Sequence, residues 1–130
     1  MEIPLLGELE MAVLEHLWAH GTTDAKDVLR AIGEPRDITL STIQSTLERL
    51  HRKRLLIRER QGHAYRYATA ISRAEFRARA MAAAAGDLDG ADAAGVMAAF
   101  VDLVARSDTR KLDQLAELVA AARTQRKPRR

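Results

Sequence analysis

The chain has no cysteine among its 130 residues. Disulfides, thiolate metal sites and thiol redox switching are therefore excluded. Aromatic residues make up only 4% of the sequence, against 47% apolar residues overall. Alanine, leucine and valine must do the packing, which favours close helix-on-helix contact over a sandwich built around large rings. No segment approaches the roughly 20 apolar residues that span a bilayer. The opening MEIPLLGELEM has neither a basic region nor a long apolar run, so a secretory signal is not expected. A cytoplasmic, soluble chain without membrane association is the expectation. Catalytic signatures are missing too: there is no HExxH, Gly-rich phosphate loop, G-x-S-x-G or paired-carboxylate pattern. Neither enzyme activity nor a cofactor is expected.

What the chain does have is unevenly placed charge. The net charge is +3 and the sequence pI about 9.7, but the halves of the first seventy residues differ in sign. Met1–Ile38 carries eight acids and three bases. From Thr39 to Arg66 there are seven bases (Arg49, Arg52, Lys53, Arg54, Arg58, Arg60 and Arg66) against Glu48 and Glu59. Such a local excess marks a surface for an anionic partner.

The hydrophobic spacing predicts a mainly α protein with one small β-hairpin. Leu9, Val13, Leu14 and Leu17 give a helical stripe from about Gly7 to His20, with Gly21 as its stop. Thr23 or Asp24 caps a second helix that points Val28, Leu29 and Ile32 inward and stops at Gly33, before the break at Glu34-Pro35. Asp37-Ile38 has room for no more than a bridging strand. Thr39 caps a third helix to about Arg54. Strands at 55–59 and 64–68 flank Gln61-Gly62, and Ser72 with Glu75 starts a fourth helix. After Ile71 the chain turns alanine-rich, loosens over 86–92, and continues as a helix over about 93–106 and a further one capped by Ser107 or Asp108. The division expected is a winged-helix domain over 1–71, a helical dimerisation region over 72–122 and a basic disordered tail over 123–130.

The third helix has two faces at about 100° per residue. Ile43, Leu47 and Leu50 share one side, and Ser41, Ser45 and Arg52 the other, flanked by Thr42, Glu48 and Arg49. Small hydroxyls let a helix approach a groove closely, and arginine forks onto guanine or pairs with phosphate. A basic hairpin follows, with Arg58, Arg60 and His63 around its tip. Helix, helix, helix, hairpin is the order of a winged helix-turn-helix, in which the third helix reads DNA. Arg58 and Arg60 are candidates for phosphate contact. Tyr65 and Tyr67 share a strand face and are expected to pack the hairpin onto the domain.

The segments GELEMAVLEHLW, DAKDVLRAI, ITLSTIQSTLERLHRKRLL, GHAYRY and ISRAEF resemble the penicillinase-repressor (BlaI/MecI/CopY-type) transcriptional regulators over residues 5–76. The resemblance implies a winged helix with a C-terminal helical dimerisation arm, and homodimers that repress genes from palindromic operators on double-stranded DNA. It implies DNA contacts at Thr39, Ser41, Thr42, Ser45, Thr46 and Arg49. Antibiotic-responsive members are cut at an Asn-Phe bond after an upstream membrane sensor is triggered. Ala99-Phe100 is the nearest match here, keeping the phenylalanine without the asparagine. Copper-responsive members carry a Cys-x-Cys pair that this chain lacks. Arg54 stands where the family has a small residue.

A winged domain of about 70 residues has its own small core. The surplus apolar positions Val96, Phe100, Leu103, Val104, Leu112, Leu115 and Val119 are therefore assigned to a two-fold partner. The same stripes are also compatible with folding back as intramolecular core. Two other functions stay open: a winged-helix protein–protein module, and a metal-responsive regulator using His16 and His20, four apart on the first helix. No metal site is assigned.

Overall fold

Gly7 opens the first helix, α1 (Glu8–His20), and the Glu10 carboxylate reaches back to accept the Gly7 N–H at 3.0 Å. That satisfies one of the donors every helix start leaves unpaired. Val13, Leu14 and Leu17 are buried. At the far end Gly21, at φ +82°, returns its N–H to Leu17 O at 2.8 Å. The computed structural model describes residues 6–86 and 89–126.

A two-residue strand, β1 (Thr23–Asp24), follows, so the bridging strand lies here and not at Asp37-Ile38. Asp37 sits at φ +57° in the left-handed region, which no strand accommodates. The Asp24 side chain accepts the Asp27 N–H and starts α2 (Ala25–Val28). The expected stop at Gly33 does not occur. The Glu34 N–H donates to Leu29 O, five residues back, so the chain widens into a π turn over Leu29–Gly33. It then tightens into a 3-10 turn, Glu34–Arg36, where the missing Pro35 N–H leaves no helical bond unmade. Gly33 is needed for another reason: a Cβ there would lie 2.8 Å from Leu29 Cδ1, 3.2 Å from Ile43 Cγ1 and 3.3 Å from Ile38 O. Its absent side chain lets this segment press against the third helix.

That helix, α3 (Leu40–Arg52), is capped by Thr39, whose Oγ1 accepts the Thr42 N–H at 3.3 Å. Its inner face buries Ile43, Thr46, Leu47 and Leu50. It ends in a Schellman motif. Leu55 N–H donates to Leu50 O and Arg54 N–H to His51 O, both at 3.0 Å, with Leu50 and Leu55 buried. Arg54 takes the left-handed position at φ +66°, where glycine is the residue without a Cβ penalty. This is the physical reason a small residue suits the place. Arg54→Gly is expected to raise stability by about 0.5–1 kcal/mol, the relief of strain exceeding the added freedom of the unfolded chain. Thermal unfolding of the two chains measures it, and a lower melting temperature for the glycine variant would contradict the strain.

Strands β2 (Leu56–Gln61) and β3 (Ala64–Thr69) form a tight antiparallel hairpin, from Leu56↔Thr69 to Gln61↔Ala64. Gly62 at φ +64° and His63 make its two-residue turn. β1 pairs with the other edge of β3, giving the sheet order β1-β3-β2. Tyr67 is buried in the core, as the strand alternation predicts.

Ser72 Oγ accepts the Glu75 N–H at 3.0 Å and starts α4 (Arg73–Ala84). Phe76 on α4 belongs to the core, its ring 5.5 Å from that of Trp18, and Trp18 Nε1 donates to Ile71 O at 2.9 Å. The chain divides into two compact units, one through Ala83 and one from Ala84. The first thus reaches past the expected boundary at Ile71, because Phe76 on α4 helps close its core.

The second unit holds α5 (Ala93–Ser107) and α6 (Thr109–Gln125), which pack on each other. Asp108 caps α6 by accepting the Arg110 N–H at 2.9 Å. Neither helix has a buried residue. Val104, Leu112 and Leu115 are half-buried. Val96, Met97, Phe100, Val101, Leu103, Leu118 and Val119 are between 37% and 62% exposed. Of the expected tail 123–130, the part through Gln125 continues α6, and 127–130 lie outside the described residues.

Candidate nucleic-acid interface

The outer face of α3 forms the floor of a concave surface of about 1000 Å³. One wall is the start of α2, with Asp24, Ala25 and Lys26; the other is the hairpin, with His63, Ala64, Tyr65 and Tyr67. Leu40, Ser41, Gln44, Ser45, Glu48, Arg49 and Arg52 line the floor from α3. The helix is placed this way because Ile43, Leu47 and Leu50 hold its opposite face in the core. Ser41, Ser45, Arg49, Arg52 and His63, all expected from the sequence, meet in this groove. Gln44 and Lys26 meet them there and were not anticipated. The signal for Gln44 is legible in hindsight: it lies three residues past Ser41 and four before Glu48, on the same helical face.

Other predicted residues sit elsewhere. Thr39 and Thr42 are exposed, but Thr39 is committed to the cap, with its hydroxyl also donating to Thr42 Oγ1 at 3.2 Å. Thr46 is a correction. It is fully buried, its hydroxyl donating to Thr42 O at 2.9 Å and accepting from Arg49 Nη2 at 3.2 Å. A side chain without surface contacts no base, so Thr46 orients Arg49 from beneath. Arg60 is exposed at the wing, with Nε donating to Gly62 O at 3.3 Å.

Two acids engage four of the seven bases between Thr39 and Arg66. Glu10, on α1, holds Lys53 Nζ at 2.9 Å and Arg49 Nε at 3.6 Å. Burial works against its ionisation, but the Lys53 hydrogen bond, the Gly7 N–H and the charges of Lys53 and Arg49 outweigh it and hold the carboxyl below its ordinary range. Glu48, on the groove floor, accepts a hydrogen bond from Arg58 Nη1 of the wing and lies 3.8 Å from Arg52 Nε. That Arg58 bond holds the Glu48 carboxyl low, aided by the charges of Arg58, Arg52 and His51. The Arg58 guanidinium also stacks 4.2 Å from the Tyr65 ring centre. Arg58 is consequently only 22% exposed and braces the wing to α3. Arg66, on the other strand face, donates to Thr22 O at 3.1 Å.

His16 and His20 face each other with ring centres 4.5 Å apart, and a His20 Nδ1 contact to His16 O at 3.1 Å. Burial, and the charge of His20, push the His16 imidazole down despite Asp27 nearby. Among the described residues no group of three or more His, Asp or Glu is placed to hold a metal ion. Nor is any helix among them long and apolar enough to cross a membrane.

The sequence profile of the penicillinase repressor family matches residues 6–120. The chain belongs to the penicillinase repressor family. Family members are transcriptional regulators and not enzymes. The chain is 33% identical over 116 residues to the transcriptional regulator BlaI of Mycobacterium tuberculosis, from strains CDC 1551 / Oshkosh and H37Rv alike, which covers 88% of this chain and 83% of each relative. The solution structure of the DNA binding domain of the repressor BlaI superposes with a TM-score of 0.51 at 25% identity, over 58% of this chain and 93% of that one. In this penicillinase repressor family chain the nearest match to the Asn-Phe cut, Ala99-Phe100, lies inside α5 in helical backbone. Cutting there requires that part of the helix to open first.

Proposed function

We propose that this chain is a sequence-specific, DNA-binding transcriptional repressor that acts as a homodimer on a dyad-symmetric operator. One observation carries the reading: the hydroxyl- and arginine-bearing face of α3 lies in a groove walled by a basic wing. Ser41, Gln44, Ser45 and Arg49 face the base edges of a major groove, and Arg60 and His63 lie against the flanking backbone. The exposed apolar face of α5 and α6 meets a second copy, setting two α3 helices on successive grooves. Repression follows from occupying DNA that polymerase needs, with an upstream sensor protease as the candidate for release.

The test begins with an operator selected from randomised duplexes by the wild-type chain. Arg49→Ala is expected to weaken operator binding by about 1–3 kcal/mol, the worth of a bidentate base contact, and to change random-DNA binding far less. Equal losses on both duplexes would remove Arg49 as a base reader. A wild-type chain that retains no duplex in any round would refute the DNA-binding reading itself.

A further inference from the structure

An acid on the face that meets DNA is costly, since it repels phosphates. Glu48 occupies that position, lining the groove with Ser41, Ser45 and Arg49. It is 40% exposed and engages two arginines from two different elements. Arg58 comes from β2, donates to Oε1 and lies against the Tyr65 ring; Arg52 comes from the next turn of α3 and lies 3.8 Å from Oε2. These are two of the seven bases between Thr39 and Arg66. Glu10 likewise holds Lys53 at 2.9 Å, whereas Arg49, 3.6 Å from it, keeps its side chain 48% exposed and open to the groove. The surface that looks most basic in sequence therefore offers fewer free cations than its count.

We infer that Glu48 is a specificity-determining residue: by engaging Arg58 and Arg52 it withholds them from the phosphate backbone and limits sequence-independent binding. The inference rests on the DNA-binding reading above. Non-specific affinity comes almost wholly from phosphate neutralisation, and specificity is the ratio of operator to random affinity. An acid that removes phosphate contacts lowers the second more than the first, because base contacts through Ser41, Ser45 and Arg49 remain. Glu48 is in this sense a repulsive element against the wrong partner, random duplex. It also ties the wing to α3, so that the hairpin's position does not depend on DNA.

The test compares wild type with Glu48→Gln, which keeps size and removes charge. Both are titrated with the selected operator and with random duplex across a salt series. Glutamine is expected to tighten random-duplex binding roughly fivefold to tenfold at about 100 mM salt, and to steepen the log K against log salt slope by about 0.9 for each arginine released. Operator affinity should rise by a smaller factor, so the specificity ratio falls. Made in a chain that already carries Arg58→Ala and Arg52→Ala, Glu48→Gln should give a clearly smaller gain, the remainder being its own repulsion of phosphate. Glu48→Ala should act in the same direction, and the far-ultraviolet circular dichroism of each variant checks that it is folded. Unchanged or weaker random-duplex binding by both folded variants would overturn the inference and leave Glu48 a mechanical brace. An equally large gain in the chain without both arginines would overturn it as well. Failure of wild type to bind any duplex would instead strike the DNA-binding reading, so the two failures are distinguishable.

Discussion

Replacing Glu10 with glutamine is expected to lower stability by about 2–3 kcal/mol at neutral pH, as read by urea unfolding. The Glu10 side chain is 10% exposed and serves three partners at once. It accepts the Gly7 N–H at the start of α1, the Lys53 ammonium at 2.9 Å and the Arg49 guanidinium at 3.6 Å. Glutamine keeps the size and one acceptor oxygen, but removes the anion that Lys53 and Arg49 share. Lys53 and Arg49 retain some solvent, which screens part of the loss and keeps the figure below that of a fully buried pair. The dependence on pH has a definite sign. The folded-state pKa of Glu10 lies below its ordinary value. Its contribution is therefore complete above about pH 4.3, the unfolded value, and is lost as pH falls through the folded value. The gap between wild type and Glu10→Gln should be widest near pH 7 and close in acid. Equal stability at pH 7, or a gap that persists unchanged to about pH 2, would contradict the assignment.

A fragment of residues 1–85 is expected to fold, to sediment as a monomer, and to bind the selected operator about 100-fold or more weakly than the full chain. The core of the first unit closes without any residue of α5 or α6, so removing them opens no cavity there. What is lost on the dimer reading is the link between two reading heads. Once one half-site is occupied, the second is met at the effective concentration the linkage sets, and such linkage is worth about 10²–10⁴ in affinity. The apolar side chains left exposed on α5 and α6 supply a physical motive for the pairing proposed above. Phe100 and Leu103 alone are 41% and 62% exposed, and burying apolar area returns about 25 cal/mol per Å². A fragment that sediments as a dimer would place the interface elsewhere. Undiminished operator affinity in a monomeric fragment would show that one reading head suffices.

Much of this was legible in the sequence, because local rules bear on it directly. The caps at Thr39 and Ser72 follow from side chains that satisfy free helix N–H groups, and both stand in the structure; of Ser107 and Asp108, both suited by type, the structure uses Asp108. The inward set Ile43, Leu47 and Leu50 follows from the helical period. Ser41 and Ser45 then face outward by the same arithmetic. Period and capping act within a few residues, so they need no knowledge of the rest of the chain.

Sequence and structure differ where distant residues decide the outcome. Gly33 has the look of a helix stop, yet it is a close-packing glycine against Ile43 and Ile38. Thr46 sits on the border between the faces of α3, and only its surroundings show that it is buried. The strand that completes the sheet is Thr23–Asp24, because β3 presents a free edge to it; its own two residues carry no strand signal.

By itself the sequence determined the main helices, the hairpin, the outward polar face of α3 and the resemblance to the penicillinase repressors, since each is written in short-range periodicity or in motif. Tertiary structure alone decided which cations are engaged across elements, unlike the local Glu48–Arg52 pair on α3. Glu10 lies 43 positions before Lys53, and Glu48 lies ten before Arg58. A count of charges along the chain cannot see these pairs, because ion pairing depends on distance in space, and the fold brings the two acids to the bases they hold.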